Sequence, residues 1–325
     1  MIIPTHLLLI AATTLYQVIA CGQEQAQKPP GQRVDVGGYA LHLYALGESK
    51  GPTIVLDHSL GGVEGYLLIE KLSSLGRVVI CDRAGYGWSD HSPHPRTSSN
   101  IVDELHRALQ NAEIPPPYLL VGDSFGSYNM RLYAHRFPEQ VQGLVLTDGL
   151  HEQGMLAMSL PLQLLKLIFI SGFLMSIVGA GLGIIRMLRL LRIFELLKPN
   201  LRQFSQAELT PVTRSFCRPK HWLTMARELW SMNASGRQLT VANQLGDLPV
   251  VNIKSASFFT PMFWTVLIPL QGINRLRDRI HTALMEVSSD CTQLQARESS
   301  HFVWVDQPEV MVQAVKFVLA KIGSL

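Results

Sequence analysis

Residues 117–126 read Pro117-Tyr118-Leu119-Leu120-Val121-Gly122-Asp123-Ser124-Phe125-Gly126, an apolar run that ends on a serine set between two glycines. A strand that turns sharply into a helix while projecting one side chain needs very small residues two positions either side of it, and Gly122 and Gly126 occupy those positions. The following residues, Tyr128-Asn129-Met130-Arg131-Leu132-Tyr133-Ala134, are patterned as an amphipathic helix. Ser124 therefore stands at a helix start, where backbone N–H groups and the positive end of the helix dipole favour negative charge near its hydroxyl.

Strands and helices alternate around this turn. Arg33 to Val36, the Gly37-Gly38 turn and Tyr39 to Leu46 read as a β-hairpin. Thr53 to Leu56, Val78 to Cys81, Tyr118 to Val121 and Val141 to Leu146 are unbroken apolar strands, with helices predicted over Tyr66 to Leu75 and Ile101 to Leu109. Continuous apolar strands separated by helices imply a parallel sheet covered on both faces, an α/β fold. The rhythm stops at Gly149 and resumes at Leu248 to Ile253, about a hundred residues on, so the interval reads as an inserted subdomain. A helix from Ile273 to Val287, a strand from Thr292 to Ala296 and a helix from Pro308 to Ala320 complete the chain. Asp306 and Glu309 are spaced as a capping box for that last helix. The resulting division is an N-terminal segment (1–30), a core in two parts (31–150 and 246–325) and an insertion (151–245).

The 325 residues carry a net charge of only +3, with basic residues scattered, which excludes nucleic acid as a partner. Hydrophobic residues make up 47% and charged ones 16%, and two segments account for the apolar excess. The first runs from Leu7 to Ala20, with no charged residue before Glu24, and reads as an export signal or a membrane anchor. Val18-Ile19-Ala20-Cys21 resembles a lipoprotein cleavage box, although no basic residue precedes it. Gly22 to Gly31 reads as a polar linker. Export or membrane association is the expected localisation. The four cysteines, Cys21, Cys81, Cys217 and Cys291, have no metal-binding spacing, and no metal is expected.

A serine hydroxyl becomes a nucleophile only when a base removes its proton. His301 is the candidate base: it lies in the loop between the last strand and the last helix, and in a parallel sheet such loops gather at the edge where Ser124 emerges. His42, His91, His94, His106, His135 and His221 fall on a hairpin strand, a Pro-rich loop, helices or the insertion. Charge developing on a substrate oxygen needs two donors. The backbone N–H of Phe125 is one, and the loop Asp57-His58-Ser59-Leu60-Gly61-Gly62 offers the other, at Leu60 by position.

Three segments together resemble the α/β-hydrolase superfamily: the Ser124 turn, Cys81-Asp82-Arg83-Ala84-Gly85-Tyr86-Gly87-Trp88-Ser89, and Ser300-His301-Phe302 followed by Gln307-Pro308-Glu309. The resemblance runs from about Val34 to the C-terminus, outside the insertion. It implies a mostly parallel eight-stranded sheet with helices on both faces, a helical lid inserted after strand six, a Ser–acid–His triad beneath the lid, and no cofactor. Members that open epoxides or displace halide carry aspartate where this chain has Ser124. The acid of the family commonly follows strand seven, yet from Ser255 through Arg277 there is no Asp or Glu. Asp148, at the end of strand six, resembles an alternative acid position, and a carboxylate there can approach His301 because strand six neighbours the nucleophile strand. Asp290 and Glu298 are the reserves.

Within the insertion, Leu167 to Ile185 is an uncharged apolar run followed by Arg186, Arg189 and Arg192. As a lid, this segment covers an acyl pocket and offers an outer face to a membrane surface. The expected activity is serine hydrolysis of a carboxylic ester or lipid-like apolar substrate through an acyl-enzyme. Hydrolysis of a carbon–carbon bond on the same scaffold, or ligand binding by a catalytically weak protein, are the alternatives.

Overall fold

A computed structural model describes residues 5–61, 63–259 and 270–324. Gly62 of the expected oxyanion loop and the first four residues of the N-terminal segment lie outside the described residues.

The eight strands are β1 (Gln32–Asp35), β2 (Ala40–Leu46), β3 (Thr53–Asp57), β4 (Val78–Asp82), β5 (Tyr118–Asp123), β6 (Val141–Thr147), β7 (Val250–Ser255) and β8 (Cys291–Ala296). They form one sheet in the order β1-β2-β4-β3-β5-β6-β7-β8. The β1–β2 and β2–β4 pairs are antiparallel, and every other pair is parallel. All residues of β3, β4 and β5 are buried, as a sheet covered on both faces requires. Because successive side chains point to opposite faces, Val55, Val79 and Leu120 join one apolar cluster while Ile54, Leu56, Val78 and Val121 join another.

Before the sheet lies α1 (Thr5–Ala26), and the helices of the first half are α2 (Ile69–Ser73), α3 (Ser98–Asn111) and α4 (Phe125–Arg136). Between β6 and β7 the described chain is helical: α5 (Glu152–Leu156), α6 (Leu160–Gly181), α7 (Ile184–Leu190), α8 (Ile193–Leu197), α9 (Gln206–Phe216) and α10 (Pro219–Leu239). The chain closes with α11 (Leu270–Leu284), α12 (Val303–Asp306) and α13 (Pro308–Lys321).

Three local expectations need correction. The helix expected over Tyr66 to Leu75 is a 3₁₀ turn, Glu64–Leu67, followed by the short α2. The linker expected from Gly22 begins only after Ala26, because α1 is fastened to the insertion along its second half. There the Gln17 amide donates to Cys217 O (2.7 Å) and accepts from Arg186 Nε (2.6 Å), while Glu24 binds Arg186 (2.5 Å) and Arg218 (2.7 Å). The capping box at Asp306 and Glu309 does not form: Gln307 is the N-cap of α13, without a side-chain cap bond. The Asp306 carboxylate instead receives Ser300 N (3.0 Å), Asn200 Nδ2 (2.7 Å) and Lys198 Nζ (2.8 Å). A lysine and two further donors outweigh a single helix N–H as partners for an ionised carboxylate.

Among the described residues, two helices, α1 and α6, are long and apolar enough to cross a membrane. On both, large apolar side chains face outward, among them Leu9, Leu15 and Val18 on α1 and Leu160, Ile168 and Met175 on α6.

Candidate active site

The parallel register brings three chain segments to one sheet edge. Gly122 stands opposite Leu146, Asp123 opposite Thr147, and Thr147 opposite Ile253. The next amide of each strand extends the ladder by one bond: Ser124 N donates to Thr147 O (2.9 Å) and Asp148 N to Ile253 O (2.8 Å). Ser124 and Asp148 thus leave adjacent strands at the same level. Both then take rarely populated backbone angles, Ser124 with φ 48° and ψ −110° and Asp148 with φ 38°. Such conformations cost about 1–3 kcal/mol each and hold only where surrounding contacts determine them. The glycines at the turn make those contacts: a Cβ on Gly122 would meet Gly126 O at 2.6 Å, and one on Gly126 would press into the Asp57 carbonyl.

His301 lies between the two. Its Nε2 is 2.9 Å from Ser124 Oγ and its Nδ1 is 2.6 Å from Asp148 Oδ2. The ring stacks on Phe258 with centroids 4.4 Å apart, and His301 N donates to Phe258 O (3.2 Å). From below, Trp304 Nε1 donates to Thr147 Oγ1 (3.1 Å), tying α12 to the strand that carries Asp148. From the insertion, Lys198 reaches Ser300 Oγ (3.1 Å) and Gln203 donates to Val305 O (2.5 Å), so the histidine loop is gripped on both sides.

Asp148 is fully enclosed, and burial alone would raise its pKa. The hydrogen bonds from His281 and His301 outweigh that effect and hold the carboxyl well below the usual carboxylate range. Its Oδ1 accepts from His281 Nε2 (3.1 Å) and Ser255 N (3.1 Å), with Arg277 Nη1 at 3.9 Å. The His281 Nδ1 is 2.9 Å from Asn252 Oδ1, and burial pushes the His281 pKa down. Beside the nucleophile, burial together with Glu64 and Asp148 pushes the Asp123 carboxyl well up, toward its neutral acid form.

The loop after β3 is set by Arg83. This buried guanidinium donates to Asp57 Oδ1 (2.7 Å), His58 O (2.8 Å) and Ser59 O (2.8 Å), and its Nε and Nη2 bind Glu228 of α10 at 2.9 and 3.0 Å. Asn129 Nδ2 donates to Asp57 Oδ2 (2.6 Å), joining the same loop to α4. Among the described residues, neither the Leu60 nor the Phe125 backbone N–H has a hydrogen-bond acceptor in the protein. His58 is buried with Nδ1 accepting from Gly65 N (2.9 Å), a structural placement. Asp290 ion-pairs with Lys321, and Glu298 N donates to Gln307 Oε1 (3.0 Å); among the described residues, neither reserve acid is joined to His301.

The sequence alone assigns no role to His281 or Arg277. Their signal is positional: with Ile273, Ile280 and Leu284 they fall on the inward stripe of α11, where a polar residue needs a buried partner. Next to His301, Ser300 and Phe302 form one wall of a cavity of about 340 Å³ lined largely by apolar side chains, including Phe194, Leu201, Leu209, Val212 and Phe216.

A family model described as alpha/beta hydrolase fold matches residues 52–172. The chain has the α/β-hydrolase fold. Among solved structures it is similar to the epoxide hydrolase CorEH, with a TM-score of 0.67 and 16% identity over 90% of this chain and 98% of that one. It is also similar to an enol-lactonase from Burkholderia xenovorans LB400, with a TM-score of 0.61 and 16% identity over 89% of this chain and all (100%) of that one. Among curated sequences, the uncharacterized protein YbdG of Bacillus subtilis is 27% identical over 152 residues, which cover 45% of this chain and 47% of that protein. The alignments thus span less than half the length of the first curated relatives.

Proposed function

We propose that the chain is a serine hydrolase that cleaves carboxylic esters of apolar, lipid-like substrates through an acyl-enzyme. The observation that carries this reading is the position of His301, within hydrogen-bond distance of Ser124 Oγ on one ring nitrogen and of the Asp148 carboxylate on the other. Ser124 Oγ attacks the substrate carbonyl as His301 Nε2 takes its proton, and the Leu60 and Phe125 amides receive the oxyanion. The tetrahedral intermediate collapses, His301 protonates the leaving alcohol, and the acyl group stays on Ser124. Water then attacks with His301 as base, releasing the acid and restoring the serine. Asp148 holds the ring with its Nδ1–H toward the carboxylate and stabilises the imidazolium formed in each half-reaction.

Serine at position 124 separates this chain from the epoxide-opening members of the superfamily despite the likeness in fold to CorEH. The apolar cavity beside His301 supports an apolar acyl or alkyl group in the substrate. The helices between β6 and β7 act as a lid, and the exposed apolar faces of α1 and α6 rest on or in a lipid surface. Fluorophosphonate labelling combined with a panel of p-nitrophenyl esters of increasing acyl length tests the reaction. The parent protein labels and prefers longer chains, and Ser124→Ala abolishes both labelling and turnover. Strong residual turnover in Ser124→Ala would remove Ser124 from the reaction, and release of carbon–carbon cleavage products from a ketone substrate in place of ester hydrolysis would move the assignment.

A further inference from the structure

Arg186 and Arg189 lie three residues apart on α7, and Arg192 follows at the left-handed break before α8. They line a cavity of about 510 Å³ together with Tyr16 of α1, Glu195 and Leu209. The three arginines are not equivalent. Arg186 is buried and already committed to Gln17 and Glu24. Arg192 is exposed and pairs with Glu195 at 3.2 Å. Among the described residues, no carboxylate lies within ion-pair distance of Arg189. The cleft therefore carries three arginines against one lining glutamate, and its half-buried Arg189, which hydrogen-bonds the Cys217 thiol, has further guanidinium donors suited to phosphate or carboxylate.

Leu209 and Thr213 line this basic cleft and also the apolar cavity of about 340 Å³ that ends at Ser300 and Phe302, on either side of His301. The two spaces share a wall, one end charged and the other apolar. We propose that they form a single site for an anionic amphiphile. Its acidic head is held by Arg189 and Arg192, and its alkyl chain passes Leu209 and Thr213 into the apolar cavity, from which an ester is presented to Ser124. The binding statement stands on the cavities and their charge alone; only the fate of the ester rests on the hydrolase reading.

The test uses full-length Ser124→Ala protein, so that binding is read without turnover. Calorimetric titration with dodecyl phosphate below its micellar concentration gives saturable binding. Dodecyl maltoside, with the same chain and a neutral head, binds at least about tenfold more weakly, the loss expected when a charge-assisted contact to arginine is removed. The double substitution Arg189→Gln with Arg192→Gln removes that difference, and Thr213→Trp, which fills the shared wall, weakens dodecyl phosphate by a similar factor. Equal affinity for the two amphiphiles would overturn the proposal, as would binding untouched by the arginine substitutions. Displacement of dodecyl phosphate by an equal concentration of inorganic phosphate would reduce the cleft to a free-phosphate site and also overturn it. Because no chemistry is needed, failure of fluorophosphonate labelling would leave a positive titration standing, and a failed titration would leave the ester assay untouched.

Discussion

Replacing Asp148 by Asn keeps the volume of the side chain and changes only which of its two atoms can accept a hydrogen bond. In the parent, Oδ1 faces His281 Nε2 at 3.1 Å, Ser255 N at 3.1 Å and Arg277 Nη1 at 3.9 Å, while Oδ2 faces His301 Nδ1 at 2.6 Å. The Asn amide has one acceptor oxygen, and two hydrogen-bond donors and a nearby guanidinium face the Oδ1 position, so the oxygen settles there. The NH₂ group then points at His301 Nδ1 and requires that nitrogen to be bare. The ring proton moves to Nε2, which faces Ser124 Oγ at 2.9 Å and can no longer take its proton. The wrong tautomer of a triad histidine lowers kcat by about 10⁴-fold, and the positive charge formed on His301 also loses its counter-charge. We expect a fall of about 10³–10⁴-fold, or roughly 4–5.5 kcal/mol in activation free energy. Steady-state hydrolysis of p-nitrophenyl butyrate by parent and Asp148→Asn measures it, with fluorophosphonate labelling slowed in parallel and KM little changed. A kcat within about threefold of the parent would show that another group orients His301, and the argument from the donors around Oδ1 would fail.

Other expectations follow from the same geometry. His281→Leu removes one hydrogen bond to the ionised Asp148, worth about 1.5–3 kcal/mol, and lowers kcat by roughly 10–100-fold at unchanged KM; the ester assay reads both parameters. Arg83→Met strands Asp57 and Glu228 as buried carboxylates without their cation, and urea unfolding should show a loss of about 3–5 kcal/mol, the usual consequence of breaking a buried ion pair from one side. The depressed pKa of Asp148 stabilises the fold fully above its unfolded value of about 4, and that contribution disappears as pH falls through the lower folded-state value. The difference in unfolding temperature between parent and Asp148→Asn should therefore narrow below about pH 4, and a difference that widened there would refute the assigned sign. Leu164→Ser, Ile168→Ser and Met175→Ser together make the exposed face of α6 polar and should reduce co-sedimentation with phosphatidylcholine–phosphatidylglycerol vesicles without loss of p-nitrophenyl butyrate turnover.

The core strands were legible because each is a short apolar run closed by a turn signal, and a sheet buried on both faces leaves that pattern unmixed with polar residues. Ser124 was legible for a different reason: the two glycines around it answer a local steric demand, visible without any partner. What escaped reading were partnerships across long sequence separations. Asp306 fits a local capping rule, but its carboxylate binds Lys198, more than a hundred residues earlier, and no local pattern encodes that choice. Glu24 appears as the end of an uncharged leader, yet it is bound by Arg186 and Arg218, so what reads as a linker continues as helix. His281 was hidden in the same way. A histidine on the inward stripe of a helix announces a buried partner without naming it, and here the partner is the residue on which the candidate site depends.

The described residues at the two ends of the carboxylate-free stretch from Ser255 to Arg277 surround Asp148 and His301 instead. The β6–β7 register places Asp148 N on Ile253 O, so a carboxylate at the end of β6 sits beside the first residues after β7. Those residues supply a donor rather than an acid: Ser255 N binds Asp148 Oδ1, and Ser255 Oγ accepts from Arg277 Nη1 at 2.6 Å, holding the guanidinium near the same oxygen. Three residues on, Phe258 presents its ring to His301 and its carbonyl to the His301 amide. A carboxylate after β7 would stand next to Asp148, and two ionised acids sharing one pocket would push one of them toward its neutral form. The Asp148 carboxylate at the end of β6 thus goes with groups after β7 that fix it and balance its charge. The arrangement can be tested by moving the acid back: Ser257→Asp on the Asp148→Asn background should restore little of the lost rate, because the pocket around Oδ1 is built from donors aimed at β6.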